Sequence, residues 1–358
     1  MSLAQRSASR KAKTAPRSVR ANVLGTAIGE PKGEDGAAAE ILRERGRSTK
    51  PPGYIMKIVN LDAYTIQLDD LNWAELEKLG DLITYDRIAP EDVISAIGDA
   101  EAVFTSKVKI SKKTMEACQN LKFIGVTATG YDNIDLAAAK ERGIAVCNIP
   151  AYSTESVAQH TFALLLEVTN NVGRYTQLIC EHKWENSQDF AFFDKPLVQL
   201  SGRSLGIIGY GSIGKRVAQI AETFGMKVHI YSRDRDAAIK SDIVTLHCPA
   251  TTENKGFINK DFIAEMKDGA ILINTARGAL LNEEDVADAL KSGKLAAVAV
   301  DVLNGEPPRK GHPLIGLPNF YATPHIAWSS KEAREVIVST SAANLKSYLE
   351  GGKLNRIV

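Results

Sequence analysis

Ser204-Leu205-Gly206-Ile207-Ile208-Gly209-Tyr210-Gly211-Ser212-Ile213-Gly214 is the stretch on which the reading of this chain turns. Its first five residues have the composition of a buried strand. A Gly-x-Gly-x-x-Gly turn follows at once, and a helix opens there with Ile213, Val217, Ile220, Ala221 and Phe224 on one face. Gly225 ends that helix, and Lys227-Val228-His229-Ile230-Tyr231 is the next strand. Strand, glycine turn, helix and strand in this order form the unit that seats a dinucleotide. Gly209 permits the tight turn, Gly211 lets a pyrophosphate approach the backbone, and Gly214 lets helix and strand pack closely. The free N–H groups of the helix start, with Ser212 and Ile213, present partial positive charge to the phosphates.

The second strand runs out at Ser232 and Arg233. There such units normally carry the acid that bonds the ribose 2′-hydroxyl. Serine does not repel a 2′-phosphate and arginine pairs with one, which favours NADP over NAD. Asp234 and Asp236 stand close enough to leave NAD open.

Outward from this unit the chain keeps alternating. Strand patterns at 57–61, 101–105, 121–127 and 144–149 are separated by helical patterns around 91–98, 112–118 and 134–142. This predicts a parallel sheet with helices on both faces. Residues 155–180 read as one long helix, with Val157, Thr161, Leu164, Leu165, Val168 and Val172 on one face. His160 on that helix reads as a packing histidine, no carboxylate partner being evident. The expected architecture is α/β, with two Rossmann-like or flavodoxin-like domains of parallel sheet. A dinucleotide domain at 155–327 is inserted into a substrate domain made of 56–154 and 328–358.

Beyond the glycine turn, three strand patterns end in polar residues. Ile271-Leu272-Ile273-Asn274-Thr275-Ala276-Arg277-Gly278 ends in Arg277. Ala297-Val298-Ala299-Val300-Asp301-Val302 leads to Asp301 and Glu306. Thr323-Pro324-His325-Ile326-Ala327-Trp328 delivers His325. In open parallel sheets ligands sit at this carboxyl edge.

With His247-Cys248-Pro249 and Glu306-Pro307-Pro308, these motifs resemble the D-isomer-specific 2-hydroxyacid dehydrogenases over residues 57–358. Val126-Thr127-Ala128-Thr129-Gly130-Tyr131, Tyr152-Ser153-Thr154, and Trp328 followed by Glu332-Ala333-Arg334 are most similar to the glycerate dehydrogenase (hydroxypyruvate reductase) branch. The resemblance implies NAD(P)-dependent reduction of a small 2-keto acid to a D-2-hydroxy acid by a homodimer, without metal. It implies His325 as acid/base with Glu306 as its partner, and Arg277 as the substrate's anchor. The N–H groups of Thr129 and Gly130 take the substrate carboxylate. Asp301 is expected at the nicotinamide carboxamide. Thr154, Thr275 and Ala276 line the cofactor site, with Cys248 and Pro249 by the adenine. The physical logic agrees. Hydride arriving at C2 leaves charge on the keto oxygen, and a histidine beside a carboxylate is suited to supply the proton. A planar guanidinium grips carboxylate and keto oxygen together, which lysine cannot copy.

One departure from the family is the nine-residue step from Ser232 to Ser241-Asp242, which predicts that a short strand and a helix beside the adenine are missing. Rivals are a dehydrogenase for another 2-keto acid and a cofactor-sensing binding protein of the same fold. Formate oxidation is disfavoured by Glu306, where that branch has Gln. A phosphoglycerate enzyme with a regulatory tail is disfavoured by the end of the chain at Val358.

Composition bounds the rest. A net charge of +1 calls for neither nucleic acid nor a membrane surface. Residues 1–55 carry 11 Lys+Arg against 5 Asp+Glu and few large apolar residues, which predicts a disordered leader. It reads either as a transit peptide to an organelle or as a stretch without folded role upstream of Met56, and the abrupt change in composition favours the second. Cys118, Cys147, Cys180 and Cys248 lie far apart, which suits reduced, mostly buried thiols in the cytoplasm.

Overall fold

The computed structural model describes residues 55–67 and 70–358. The expectation of a disordered leader falls, Ile55 apart, outside the described residues. Residues 55–358 form one compact unit built on two parallel sheets.

The first sheet contains β1 (Lys57–Asn60), β2 (Asp81–Thr84), β3 (Ala102–Thr105), β4 (Phe123–Val126) and β5 (Ala145–Cys147). Helices α1 (Ala74–Glu77), α2 (Val93–Ile97), α3 (Lys112–Ala117) and α4 (Leu136–Glu141) connect them. Strand order is β2-β1-β3-β4-β5, the flavodoxin-like order, with every pair parallel. Strands β3 and β4 are buried at every residue, as strands covered on both faces must be. The sequence reading missed β2. It is an edge strand with three of its four residues exposed, so it carries no apolar pattern and is defined by backbone pairing to β1.

Residues 154–180 are two helices, α5 (Thr154–Asn170) and α6 (Val172–Cys180), not the single helix expected. Asn171 is left-handed at φ 51°, and its N–H closes the last turn of α5 on the carbonyl of Glu167. Asparagine tolerates that conformation better than most residues. Val172, placed on the apolar face by its spacing, is therefore turned out and 61% exposed.

The second sheet holds β6 (Ser204–Ile208), β7 (Lys227–Ile230), β8 (Ile243–Leu246), β9 (Ala270–Asn274), β10 (Leu295–Val300) and β11 (Phe320–Ala322), in the order β11-β10-β9-β8-β6-β7. Helices α5 and α7 (Ser212–Thr223) cover one face through Ala158, Phe162, Val217 and Ala221. The other face is covered by α8 (Arg235–Ile239), α9 (Lys260–Glu265) and α10 (Glu283–Lys291), through Ile239, Phe262, Ile263 and Val286. The chain then returns: α11 (Lys331–Leu349) packs Ile337, Val338 and Leu345 against the Phe104 and Phe123 side of the first sheet. The six-stranded domain is thus inserted into the five-stranded one. Among the described residues no helix is long and apolar enough to cross a membrane. Of the four free thiols, Cys118 and Cys147 are buried, Cys248 is half-buried and Cys180 is exposed.

The short 232–242 connection keeps a helix after all. Asp234 accepts a hydrogen bond from the Ala237 N–H at 3.0 Å and caps α8. No described strand follows before β8, so β7 forms the sheet edge. Helix α8 comes close to β6 because Gly206 lacks a side chain: a Cβ there would lie 1.9 Å from the Ala238 carbonyl oxygen. Gly206→Ala should therefore cost about 1–3 kcal/mol of stability through overpacking. The measurement is the urea midpoint at constant slope, and an unchanged midpoint would show that α8 yields freely.

Candidate active site

Strand order reverses between β6 and β8, and a crevice opens there at the carboxyl edge. Gly209 follows β6 at φ 99°, and a Cβ on it would lie 2.4 Å from the carbonyl carbon of His247. The loops after β6 and β8 thus touch. Gly214 sits against the same turn, its Cβ position only 2.1 Å from the Gly209 carbonyl oxygen. Gly211 differs: it lines the cleft, and a Cβ there would meet no protein atom within 4 Å. It also stands at the start of α7, where no side chain caps the free N–H groups. Open space before uncapped amides fits a phosphate group.

The cleft, about 620 Å³, continues from Gly211, Ser212 and Ile213 past Cys248 and Pro249 to the polar strand ends. Arg277 follows β9. Fully buried Asn274 clamps its turn, accepting from Ala276 N–H at 3.0 Å and donating to the Arg277 carbonyl at 2.9 Å. The guanidinium donates to the Ala276 carbonyl at 2.8 Å and lies against Gly130, where a Cβ would come within 3.2 Å of Nη2. Thr129 is fixed by donating through Oγ1 to the Ile149 carbonyl.

His325 stands after β11 in the left-handed region at φ 57°, an uncommon place for a side-chain-bearing residue. Three interactions hold it there. Its N–H donates to the Asp301 carbonyl at 2.8 Å, its carbonyl accepts from Trp328 Nε1 at 2.8 Å, and its ring Nδ1 meets Glu306 Oε2 at 2.5 Å. The other Glu306 oxygen accepts from the Leu303 N–H at 3.0 Å. Burial alone would raise the Glu306 carboxyl, but the His325 hydrogen bond and charge, with Leu303 and Lys107, hold it below the usual carboxylate range. His325 Nε2 has no protein partner among the described residues.

Asp301, 2% exposed, uses its carboxylate within the protein. It accepts from Thr323 Oγ1 at 2.6 Å, Ile326 N–H at 2.9 Å and Ala327 N–H at 2.8 Å. His160 joins this cluster, with Nε2 2.8 Å from Thr323 Oγ1 and 3.7 Å from Asp301. The carboxylate partner absent from the sequence reading of His160 is therefore present, brought from β10 across the domain.

The cleft thus brings together Thr129, Gly130, Thr154, Thr275, Ala276, Arg277, Asp301, Glu306 and His325. Ser232 and Arg233 do not line it. They are exposed at the end of β7, with the Arg233 guanidinium 5.0 Å over the Tyr210 ring. Asp234, close enough in sequence to compete for a ribose, is committed to capping α8. The sequence reading missed Lys107, and assigned no role to Tyr152 or His247, all of which line the cleft. Burial pushes the Tyr152 phenol well above its ordinary range, and burial drives His247 down to about 3, so both are neutral near pH 7. Lys107 follows β3 in a run of charged residues, and only the strand order shows that it faces a cleft. Among the described residues no group of three or more His, Cys, Asp or Glu is placed to hold a metal ion.

Residues 162–327 match the family described as D-isomer specific 2-hydroxyacid dehydrogenase, NAD binding domain. The chain is 44% identical over 318 residues to a hydroxypyruvate reductase of Blautia hydrogenotrophica, covering 84% of this chain and 99% of that one. It is 37% identical over 276 residues to a glycerate dehydrogenase of Methylorubrum extorquens, covering 74% and 88%. A crystal structure of an NADPH-dependent glyoxylate/hydroxypyruvate reductase from Sinorhizobium meliloti, in complex with NADP and malonate, superposes with a TM-score of 0.72 at 25% identity, covering 85% and 97%.

The open space before Gly211 can be tested directly. Gly211→Ala should leave the urea midpoint within about 0.5 kcal/mol of wild type, as surface changes do. It should weaken dinucleotide binding about tenfold or more, measured by NAD(P)H fluorescence titration. Unchanged affinity would place the phosphates elsewhere.

Proposed function

Since the chain belongs to the D-isomer-specific 2-hydroxyacid dehydrogenase family, we propose that it reduces hydroxypyruvate to D-glycerate, and glyoxylate-type 2-keto acids likewise. The observation that carries this reading is the Glu306–His325 pair at 2.5 Å, in one cleft with Arg277 and the glycine turn. When bound, the nicotinamide dinucleotide supplies the hydride that reaches C2. Arg277, pressed against Gly130, holds the substrate's carboxylate and keto oxygen, and the N–H groups of Thr129 and Gly130 take the carboxylate. His325 delivers a proton from Nε2 to the keto oxygen as charge develops there. Glu306, its carboxyl held below the usual carboxylate range, bonds the ring Nδ1 and orients the ring. Asp301 Oδ2, which among the described residues accepts only from the Ala327 N–H, would hold the carboxamide of the nicotinamide.

Cofactor choice is proposed as NADPH over NADH. Ser232 brings no negative charge to the end of β7, Asp234 is engaged in its cap, and Arg233 is free to meet a 2′-phosphate. A homodimer is proposed as well. Trp184, Phe190, Phe193 and Leu197 are 50%, 94%, 85% and 58% exposed, an apolar surface suited to being covered by a second copy. Light scattering at micromolar concentration should give twice the chain mass, and a monomer would refute the dimer. The free thiols are compatible with the cytoplasm as its compartment.

The test of the activity is a panel of 2-keto acids with both cofactors, in which hydroxypyruvate with NADPH should have the highest kcat/KM. A protein that binds NADPH but oxidises it with no keto acid would be a cofactor sensor instead. His325→Ala should slow reduction by about 10² to 10⁴, the range for a lost general acid, with cofactor affinity unchanged. Glu306→Gln keeps an acceptor but removes the charge. The wild-type carboxylate is held below the usual range, so its contribution to reduction should be lost only as pH falls through that lowered value, and Glu306→Gln should lack this acid-side dependence. Superimposable pH profiles of kcat/KM would show that the Glu306 charge does not act in the reaction.

A further inference from the structure

Asp62 lies just after β1 and is 5% exposed. Its carboxylate accepts the backbone N–H groups of Ser106 at 2.8 Å, Lys107 at 2.6 Å and Val108 at 3.2 Å, together with Thr105 Oγ1 at 3.2 Å. These bonds join the ends of β1 and β3, the strands flanking the switch point of the first sheet. The loop bearing Lys107 is therefore fixed by a buried charge rather than left free at a sheet edge.

Lys107 lines the same cleft as Arg277, Glu306 and His325, and the charges of Arg277 and Glu306 act on its ammonium. The residue is exposed, and its ammonium has no hydrogen bond or ion pair among the described residues. Enclosure by the cleft walls, then the positive charge of Arg277, push its amine below the ordinary lysine range, while Glu306, Asp62 and Asp132 act the other way. A cation without a partner among the described residues, in one cleft with a second cation, is suited to an oxygen-bearing ligand.

A 2-keto acid has three parts to recognise. Arg277 and the N–H groups of Thr129 and Gly130 account for the carboxylate. Arg277 and His325 account for the keto oxygen. The substituent on C2 is left, and the ammonium of Lys107 is a charged donor in the cleft that no partner engages among the described residues. We propose that Lys107 determines substrate specificity by donating a hydrogen bond to the C3 hydroxyl of the substrate, an inference that rests on the 2-keto acid reading above. Pyruvate, with a methyl group at that place, would leave the ammonium without a ligand partner.

The experiment compares pairs that differ only in the C3 oxygen, in wild type, Lys107→Met and Lys107→Arg. With NADPH, wild type should favour hydroxypyruvate over pyruvate in kcat/KM. Lys107→Met should lower the hydroxypyruvate value about 10- to 100-fold, as expected for a charged hydrogen bond, and the pyruvate value less than threefold. Lys107→Arg should recover part of the preference. The wild-type ratio should also fall with rising pH, below the range in which an ordinary lysine loses its proton. Binding of D-glycerate and D-lactate to the enzyme with oxidised cofactor reads the same preference without turnover, and dinucleotide affinity should stay unchanged in both variants. Equal losses for both members of a pair, or no loss, overturn the role of Lys107. A wild type that binds D-glycerate over D-lactate through Lys107 but reduces neither keto acid refutes the dehydrogenase reading and leaves the contact standing.

Discussion

The carboxylate of Asp301 is the interaction on which the active-site edge depends. It is nearly inaccessible to solvent, and a buried charge is costly unless it is hydrogen-bonded. Thr323, Ile326 and Ala327 supply those bonds, and all three belong to the turn that carries His325. The carbonyl of the same residue accepts the His325 N–H. One aspartate at the end of β10 therefore sets the backbone of His325 in a conformation that side chains rarely adopt. Strain of this kind persists only where the surroundings over-determine it, and here Trp328 and Glu306 add bonds to the His325 carbonyl and ring.

The other polar ends are tied to that turn by close backbone approach. A Cβ at Gly278 would lie 2.0 Å from the carbonyl carbon of Leu303, so the Arg277 turn rests on the loop that leads to Glu306. Glu306 in turn bonds the Leu303 N–H as well as His325. Guanidinium, carboxylate and imidazole thus form one connected unit at the carboxyl edge. The first sheet faces it with a loop held by a different buried carboxylate, that of Asp62. Each side of the cleft uses an aspartate just after a strand to organise the next polar loop, and the functional side chains project from those fixed backbones.

The short connection after β7 lies at the edge of the sheet, away from the strands that carry Arg277, Glu306 and His325. Helix α8 spans a connection of a few residues, is capped by Asp234, and lies tight on Gly206. The consequences stay at the end of β7, where Ser232 and Arg233 stand exposed. Arg277, Glu306 and His325 hang on β9, β10 and β11, on the opposite side of β6 from β7.

Much of this was legible in the chain alone. Strand and helix periodicity, the glycine turn, and the polar ends of three apolar strands are local patterns, and they led to parallel sheets and to Arg277, Glu306 and His325. Where a local pattern was weak, the reading missed: β2 is an exposed edge strand, and the break at Asn171 lies inside a continuing helical periodicity. The partner of His160, the bonds of Asp301 and the position of Lys107 have no local signature. They depend on strand order, which brings Asp62 to Lys107 and Asp301 to the His325 turn across intervening helices. The sequence by itself determined which elements form and which chemistry their ends carry, because hydrophobic periodicity and turn residues act over a few neighbours. Which of those ends meet was decided by the tertiary structure, because only packed sheets bring buried charges within hydrogen-bonding distance of loops far along the chain.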